Sequence, residues 1–487
     1  MMEMINIAEL MSHSGVKFGT SGARGLVVDM TDRVCFAYTT AFLNHLEDKS
    51  LIIQGMKVVV AGDYRPSSPR IMQAVGLAIE KAGFEPVNCG FVPTPAVAAY
   101  AMKRGIASIM VTGSHIPDDR NGIKFYKPQG EILKDDEQGM CSRSVDIEQA
   151  LFDAAGDRKV DFSWAEQTNE SYDEFVQRYV GFFPQDCLQG KRIGVYEHSS
   201  VARGVLKDVM QGLGADVVTL GYSDKFIPVD TEAVRDEDVR LAKAWAKEHD
   251  LDCLVSADGD GDRPLVSDEL GNWLRGDVIG IVAAHYLGAE HVVTPVSCNS
   301  AVEKSAYFKS VSRTRIGSPF VIEVMNKLLD EGNANIVGYE ANGGFLTASD
   351  IEQNGRVLTA LPTRDAVIVP LALLMASTEA GVNISELMKN LPKRFTLSDR
   401  LKGVATKVSQ QNIANLAQDS SWFENAFGKL AHTDETDGFR MTFSSGVVVH
   451  LRPSGNAPEL RCYVEASSLD QAENVLQQCL SYLQTWL

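Results

Sequence analysis

Apolar runs of strand length alternate with helix-type periodicity over most of the chain. The clearest predicted strands are 57–60 and 107–111, and between them the pattern predicts a helix over 67–82 that ends at Gly83. Further strands are predicted at 192–195, 216–220, 251–256, 291–296, 313–316 and 335–337, and helices at 201–213, from 301 and at 364–380. Strands that alternate with helices favour an α/β fold with helices on the sheet faces.

The last part of the chain has a different pattern. Residues 441–451 alternate as in a hairpin, and a strand is predicted at 460–464. The final helix is predicted over 469–487, and a capping box formed by Ser468 and Gln471 marks its beginning. These features predict a smaller α+β unit after three similar α/β units.

Polar stretches suggest where these units are divided. Residues 157–174 indicate the first boundary, and residues 386–400 are predicted to be a polar connection before the last unit. We therefore expect four domains, at residues 1–160, 161–270, 271–388 and 389–487.

Composition excludes several functional classes. The 487 residues are 45% hydrophobic and 23% charged, as in a globular protein, and the net charge of −18 disfavours nucleic acid and anionic membrane surfaces as partners. The chain contains no 18-residue apolar run of the kind that spans a membrane, and residues 1–15 lack the features of a secretory signal, so we expect a cytoplasmic protein. A monomer or homodimer is expected. The eight cysteines lack metal-site spacing and are predicted to be reduced.

An apolar strand followed by a polar, glycine-rich loop recurs three times, at residues 107–124, 251–263 and 335–344. Ligands of α/β sheets bind beyond the carboxyl ends of the strands, where these loops are expected to lie. The three loops are therefore the first candidates for a functional site.

The second of these loops contains three aspartates at alternate positions: Asp258, Asp260 and Asp262. The glycines between them let the loop curl so that the carboxylates converge on one divalent cation, and Mg²⁺ is favoured because it accepts carboxylate and phosphate oxygens. A calcium EF-hand is disfavoured because Arg263 stands where that motif needs glycine and because a strand precedes the loop. A solvated acidic turn is the remaining interpretation.

The first loop places Ser114 between Gly113 and His115 at the end of a predicted strand. We expect this serine to be exposed and unhindered, as a nucleophile must be, although the motif of an acyl-transfer serine is missing. Lys124 follows the turn signal Asn121–Gly122 and is expected to return to the same pocket. Alone this would be a turn serine; beside a cation it could carry a phosphoryl group.

Three more segments offer groups suited to a phosphorylated sugar. Arginine, hydroxyl groups and free backbone N–H groups match phosphate, whereas a carboxylate with a nearby amide suits sugar hydroxyls, although an Asn-Gly turn with a surface glutamate explains the latter pair equally well. The candidate residues are Thr20, Ser21 and Arg24 for phosphate in the first segment, Arg452, Ser454, Gly455 and Asn456 for phosphate in the last unit, and Glu340 and Asn342 for the sugar.

In combination, these loops resemble those of the α-D-phosphohexomutase family over nearly the whole chain. The resemblance implies three related α/β domains with mixed sheets and a C-terminal α+β domain around a central cleft. It implies a hexose phosphate substrate whose 1- and 6-phosphates are interconverted through a phosphoserine and a hexose 1,6-bisphosphate. The implied roles are phosphoserine for Ser114, Mg²⁺ ligation for Ser114, Asp258, Asp260 and Asp262, catalysis for Lys124, Arg24 and His115, and substrate binding for Thr20, Ser21, Arg263, Glu340, Asn342, Arg452, Ser454, Gly455 and Asn456.

Several positions depart from the family pattern. The sugar loop has Asn342 where mannose- and glucose-type members carry serine, and it has Gly344 where a histidine often follows. Gly317–Ser318 replaces a Gly-His or Gly-Asp pair that helps to separate subgroups. Mannose phosphate is the leading substrate, with glucose, glucosamine or N-acetylglucosamine phosphate as alternatives. A metal-dependent sugar phosphatase and a non-catalytic phosphosugar-binding or calcium-binding protein are the competing functions.

Overall fold

The computed structural model describes residues 1–19, 22–165, 167–453 and 459–486. Within these residues four larger sheets follow one another along the chain, three of them mixed and the last one antiparallel. No helix of the described parts combines the length and the apolar character that crossing a bilayer requires.

The first sheet is the largest. The strands of this region are β1 Met2–Asn6, β2 Lys17–Phe18, β3 Ala23–Leu26, β4 Lys57–Gly62, β5 Glu85–Asn88, β6 Ala107–Val111, β7 Arg120–Lys127, β8 Gly130–Glu131 and β9 Ser144–Glu148. Its helices are α1 Ile7–Ser14, α2 Asp32–Asp48, α3 Ser68–Lys81, α4 Thr94–Arg104 and α5 Lys134–Cys141, and α6 Glu170–Val180 follows. The sheet order is β2-β3-β7-β6-β4-β5 with β8 beside β7, while β1 and β9 form a separate ribbon.

The second and third sheets are smaller. Their strands are β10 Arg192–His198, β11 Asp216–Tyr222, β12 Cys253–Ala257 and β13 Pro264–Val266, then β14 His291–Pro295, β15 Ser310–Thr314, β16 Ile336–Tyr339, β17 Phe345–Thr347, β18 Ile351–Gln353, β19 Arg356–Leu358 and β20 Leu361–Asp365. The helices are α7 Arg203–Gly212, α8 Asp236–His249, α9 Gly276–Tyr286, α10 Ala301–Lys304, α11 Ser318–Asp330, α12 Ile368–Ala380 and α13 Ile384–Met388. The orders are β11-β10-β12-β13 and β15-β14-β16-β17-β20, with β18 and β19 as a separate hairpin.

The C-terminal unit is a five-stranded antiparallel sheet packed against helices. Its elements are β21 Phe395–Lys402, α14 Thr406–Gln418, α15 Ser421–Phe427, β22 Leu430–Asp434, β23 Phe439–Phe443, β24 Val448–Pro453, β25 Glu459–Ala466 and α16 Leu469–Leu483. The order β21-β25-β24-β23-β22 contains the predicted hairpin as β23 and β24. This unit has an apolar core of its own, whereas one continuous apolar cluster runs through the first three units.

The first three sheets share one strand pattern. A central strand pairs in parallel with two neighbours, and the second neighbour pairs antiparallel with the strand that follows it: β4 with β5 and β6, then β7; β10 with β11 and β12, then β13; β14 with β15 and β16, then β17. The turn before the antiparallel strand comprises 112–119, 258–263 and 340–344, respectively. The recurring strand-and-loop arrangement is therefore confirmed, and all three candidate loops occupy the equivalent turn.

The predicted fold class is confirmed, but two predicted elements are wrong. The helix predicted over 364–380 begins only at Ile368, because Arg364 belongs to β20 and the Asp365 carboxylate accepts a hydrogen bond from the Val367 backbone N–H, at 2.8 Å, where the chain turns into α12. The polar connection predicted at 386–400 contains the end of α13 and most of β21. That strand lies at a sheet edge and five of its eight residues are exposed, so its polar composition concealed it.

The beginning of the last helix is confirmed, since the Ser468 hydroxyl accepts a hydrogen bond from the Gln471 backbone N–H at 3.2 Å. The Gln471 side chain completes the cap through Ser467 instead of Ser468. The predicted domain boundaries at 160, 270 and 388 stay predictions, although each of the four larger sheets falls within one predicted domain.

Gly276, the first residue of α9, tests how tightly the third loop is packed. A Cβ atom at this position would lie 2.2 Å from the Gly343 backbone nitrogen. Although Ala normally stabilises a helix relative to Gly, we expect Gly276→Ala to lower the free energy of unfolding by about 1–3 kcal/mol, because the loop backbone must move. Guanidinium unfolding followed by circular dichroism measures the change.

Thr378→Ala, on an exposed face of α12, is the matched control and should change the midpoint little. A Gly276→Ala midpoint equal to that of the wild type would contradict the described packing.

Candidate active site

Ser114 and the aspartate loop meet across two sheets. Ser114 follows β6 in the first unit, and its hydroxyl donates a hydrogen bond of 2.6 Å to Oδ2 of Asp258, which follows β12 in the second unit. Ser114 has a φ of 58°, a left-handed conformation that is uncommon for a residue with a side chain. Such backbone strain persists only where the surroundings enforce it, which marks this turn as a functional candidate.

The expectation that Ser114 is exposed is wrong: the residue is fully buried. The reason is the close packing of the second loop, since a Cβ atom on Gly259 would lie 2.7 Å from the Ser114 carbonyl oxygen. The serine therefore faces the aspartates instead of solvent.

Sequence reasoning missed the polar network that supports this turn. The Ser114 backbone N–H donates to the Thr112 hydroxyl at 2.8 Å, and that hydroxyl donates to Asp63 at 2.7 Å. Buried Arg65 pairs with Asp63 and donates to the Ser114 carbonyl oxygen at 3.0 Å. The guanidinium of Arg65 also lies 4.0 Å from the centre of the Phe226 ring. The position of Asp63 at the end of β4 was the one available signal.

The aspartate trio has the geometry of a cation site. One carboxylate oxygen from each of Asp258, Asp260 and Asp262 lies within 4.8 Å of the others, and all three residues are buried. Within the described residues, Oδ1 of Asp260 and Oδ1 of Asp262 have no hydrogen-bond partner. Burial, and then the neighbouring Asp260 and Asp262, raises the pKa of Asp258. Crowded, partly unpartnered carboxylates fit a hard divalent cation.

Cations line the other side of the trio. Lys124 lies in β7, and its side chain reaches the aspartate loop as predicted. Its Nζ lies 2.5 Å from Asp260 Oδ2 and 2.6 Å from Asp262 Oδ2. Burial alone would raise the pKa of Asp262, but Arg364, Lys124 and Arg263 outweigh it, so that the pKa falls below its usual value. Asp262 is therefore held as a carboxylate.

Arg24 and His115 belong to the same electrostatic environment. Burial, followed by Arg263 and Arg364, lowers the pKa of Arg24 to about 10, while Asp260 and Asp262 oppose that shift. Burial, followed by Arg263 and Arg24, lowers the pKa of His115 to about 2, so the imidazole is neutral. Its Nδ1 accepts a hydrogen bond of 2.8 Å from Arg263 and lies 3.3 Å from the Ser114 hydroxyl oxygen.

Thr94, another residue that sequence reasoning missed, connects α4 to the aspartate loop. Its hydroxyl donates to Asp260 Oδ2, and its backbone N–H donates to the Asp260 carbonyl oxygen at 2.9 Å. The first turn of a helix in the first unit thereby orients one of the three carboxylates of the second unit.

The structure bears on the two interpretations of Glu340 and Asn342 in the third loop, a sugar-binding pair or an Asn-Gly turn with a surface glutamate. Glu340 is buried and is not a surface glutamate. Asn342 does form a turn, because its Oδ1 accepts the Gly344 backbone N–H at 2.9 Å, and its carbonyl oxygen accepts the Thr231 hydroxyl at 2.7 Å. Arg364, which the sequence placed in a helix, lies with its Nε 3.1 Å from Asp262 and its Nη1 3.3 Å from Glu340.

The remaining predicted residues lie in the C-terminal unit or outside the described part of the chain. Arg452 lies in β24 and pairs through Nε with Asp437 at 2.8 Å, and Asp437 also accepts the Ile316 backbone N–H at 3.0 Å. The predicted residues outside the described ranges are Thr20, Ser21, Ser454, Gly455 and Asn456.

Known proteins are similar to this chain over its whole length. Sequence models of phosphoglucomutase/phosphomannomutase match alpha/beta/alpha domain I at residues 15–150, alpha/beta/alpha domain III at 275–395 and the C-terminal domain at 400–480. A phosphomannomutase from Salmonella muenchen is 44% identical over 491 residues, which cover 100% of this chain and 99% of that protein. A phosphoglucosamine mutase from Rhizobium etli is 26% identical and covers 95% of this chain, with 97% of its own length matched.

A solved structure shares the fold. A phosphoglucomutase/phosphomannomutase family protein from Burkholderia thailandensis superposes with a TM-score of 0.72 at 21% identity, covering 96% of this chain and 97% of its own. The molecule is accordingly an isomerase of the hexose phosphate mutase class. The chain belongs to the phosphoglucomutase/phosphomannomutase family.

Proposed function

We propose that the enzyme interconverts mannose 1-phosphate and mannose 6-phosphate through a phosphorylated Ser114. The observation that carries this proposal is the 2.6 Å contact between the Ser114 hydroxyl and Asp258 within a buried aspartate trio. Mannose is preferred to glucose and glucosamine because the relative from Salmonella muenchen, 44% identical over the full chain, is a phosphomannomutase.

The proposed reaction moves one phosphoryl group at a time. In the first half, the P–O bond to Ser114 breaks and a P–O bond to a free sugar hydroxyl forms, while the hydroxyl proton passes to the Ser114 oxygen. The product is mannose 1,6-bisphosphate. In the second half the sugar is reversed, its other phosphoryl group returns to Ser114, and the proton passes back to the sugar oxygen that is released.

Lys124, Arg24 and Arg263 are the groups suited to assist this transfer. Their positive charges face the aspartate loop where the phosphoryl group would lie, and charge neutralisation with positioning is the main requirement of phosphoryl transfer. Lys124 is the candidate for relaying the hydroxyl proton. His115, neutral and hydrogen-bonded by Arg263, is suited to orienting the serine instead of donating a proton.

Asp258, Asp260, Asp262 and the Ser114 oxygen are the residues that would hold Mg²⁺. Two buried carboxylate oxygens that lack a described partner fit such an ion. When bound, Mg²⁺ neutralises charge on the transferring phosphoryl group.

The remaining predicted residues are assigned to substrate recognition. Glu340 is proposed to accept sugar hydroxyls, and the Asn342 side chain to shape the turn that presents it. The non-reacting phosphate is proposed to bind the C-terminal unit, which carries Arg452 in β24. The phosphate-binding residues are proposed to be Thr20, Ser21, Arg263, Arg452, Ser454, Gly455 and Asn456.

Ser114→Ala tests the phosphoserine. We expect the rate of conversion of mannose 1-phosphate, with Mg²⁺ and a trace of mannose 1,6-bisphosphate, to fall by at least about three orders of magnitude, because the group that carries the phosphoryl is removed. Intact mass of the wild type should show one added phosphate that Ser114→Ala lacks. Ser108→Ala is the matched control, since Ser108 is a buried serine of β6, the strand that leads to Ser114.

Unchanged mutase activity in Ser114→Ala would contradict the phosphoserine role. Release of free phosphate that matches sugar consumption would identify a phosphatase instead.

Asp260→Asn tests the cation site. Removal of divalent ions with a chelator should abolish activity, and Mg²⁺ should restore it. Because one ligand charge is lost, we expect Asp260→Asn to weaken Mn²⁺ or Mg²⁺ binding in calorimetric titration by at least about tenfold. Asp268 is a buried aspartate after β13 whose side chain accepts a hydrogen bond from the Asn272 backbone N–H. Asp268→Asn should bind the ion as the wild type does. Equal ion affinity in both variants would contradict the site.

The choice of sugar is tested by rate comparison. We expect kcat/KM to be highest for mannose phosphates among mannose, glucose, glucosamine and N-acetylglucosamine phosphates. A clear preference for an amino sugar would overturn the mannose assignment while leaving the mutase chemistry intact.

A further inference from the structure

Gly344 makes room for Arg364. A Cβ atom at Gly344 would lie 2.5 Å from Cδ and 2.6 Å from Cγ of Arg364, in the middle of a buried side chain that cannot easily move aside. Any residue larger than glycine at position 344 would therefore displace the arginine. Glycine at position 344, where family members often carry histidine, thus leaves the space that the Arg364 side chain occupies.

Arg364 connects two loops that belong to different units. Through Nε it pairs with Asp262 of the aspartate loop at 3.1 Å, and through Nη1 with Glu340 of the sugar loop at 3.3 Å. Two separate nitrogens of one planar group reach two carboxylates, an arrangement that a lysine ammonium cannot reproduce. The arginine is 2% exposed, so these interactions are shielded from water.

The strand that carries Arg364 is fixed on its other side. Thr363 donates a hydrogen bond of 2.7 Å to the buried carboxylate of Glu131 in the first unit. Ser318, at the beginning of α11, donates to the same carboxylate at 2.9 Å. The Gly317–Ser318 pair, which also departs from the family pattern, thus contributes to the placement of β20.

We propose that Arg364, admitted by Gly344, is a positioning residue that holds Glu340 for sugar binding while it balances the charge of Asp262. The inference rests on the proposed function of Glu340 as acceptor of sugar hydroxyls. It links the two loops: the same guanidinium that orients the sugar loop lowers the negative potential at the cation site. Its removal has opposite effects on the two ligands, because the sugar loses an oriented partner whereas a cation loses a repelling neighbour.

Arg364→Met is the primary test. We expect KM for mannose 1-phosphate to rise about tenfold or more with a smaller change in kcat, because an interaction with a charged group that orients Glu340 is lost. Mn²⁺ affinity, measured by calorimetry without sugar, should rise about tenfold, because one positive charge near Asp262 is removed. A variant that is merely destabilised would weaken both ligands.

Three further variants separate charge from geometry. Arg364→Lys keeps the charge, so Mn²⁺ affinity should stay near that of the wild type while KM is still raised. Gly344→Ala should raise KM as Arg364→Met does. In a Glu340→Gln background, Arg364→Met should raise KM no further, since it acts through the group already removed.

Arg313→Met is the control, because Arg313 lies in the same unit and pairs with Glu303 outside the site. It should lower stability at most and leave Mn²⁺ affinity unchanged. Additive effects of Arg364→Met and Glu340→Gln on KM, or unchanged or weaker Mn²⁺ binding in Arg364→Met, would overturn the inference. A wild type that converts no hexose phosphate would instead overturn the proposed function, and the Mn²⁺ titrations would still decide whether Arg364 balances Asp262.

Discussion

The organisation of the site depends on the burial of several carboxyl groups beside one serine. Carboxylates removed from water are stable only when cations or hydrogen-bond donors surround them. Within the described residues the compensation is uneven: Asp262 has two close cations, whereas Asp258 has Arg263 only at 3.9 Å and a raised pKa. The remaining deficit of positive charge lies beside the Ser114 hydroxyl, which is where the proposed dication and phosphoryl group would neutralise each other.

This concentration of charge follows from a backbone pattern that is used three times. Each of the first three sheets turns from a parallel strand into an antiparallel one, and each turn presents its polar residues at a strand end. The apolar cluster that runs through these three units fixes the turns relative to one another. The serine, the aspartates and the Glu340 loop therefore face one another without any of them being adjacent in sequence.

Features that depend only on neighbouring residues could be predicted from the sequence. Strand 107–111, the aspartate loop and the return of Lys124 follow from apolar runs, glycines and turn residues. Burial of Ser114 and the roles of Arg65, Thr94 and Arg364 could not be predicted, because each depends on a partner from another segment. Arg364 was placed in a helix for the same reason. The apolar residues that follow it predict a helix, and only the carboxylates of Asp262 and Glu340, distant in sequence, explain a buried charged residue in a strand.

One site of chemistry that serves both ends of a sugar needs recognition groups that tolerate a reversed substrate. The first three units form a continuous core and can hold the serine and aspartates rigidly, whereas the C-terminal unit has a separate core. Its described hydrogen bonds to the third unit include those of Glu465 with Ser300 and of Asp437 with the Ile316 backbone. Units with separate cores are the arrangement in which movement of one unit against another is expected. The division between a rigid reaction centre and an independently packed unit that carries Arg452 thus matches the demands of the proposed two-step transfer.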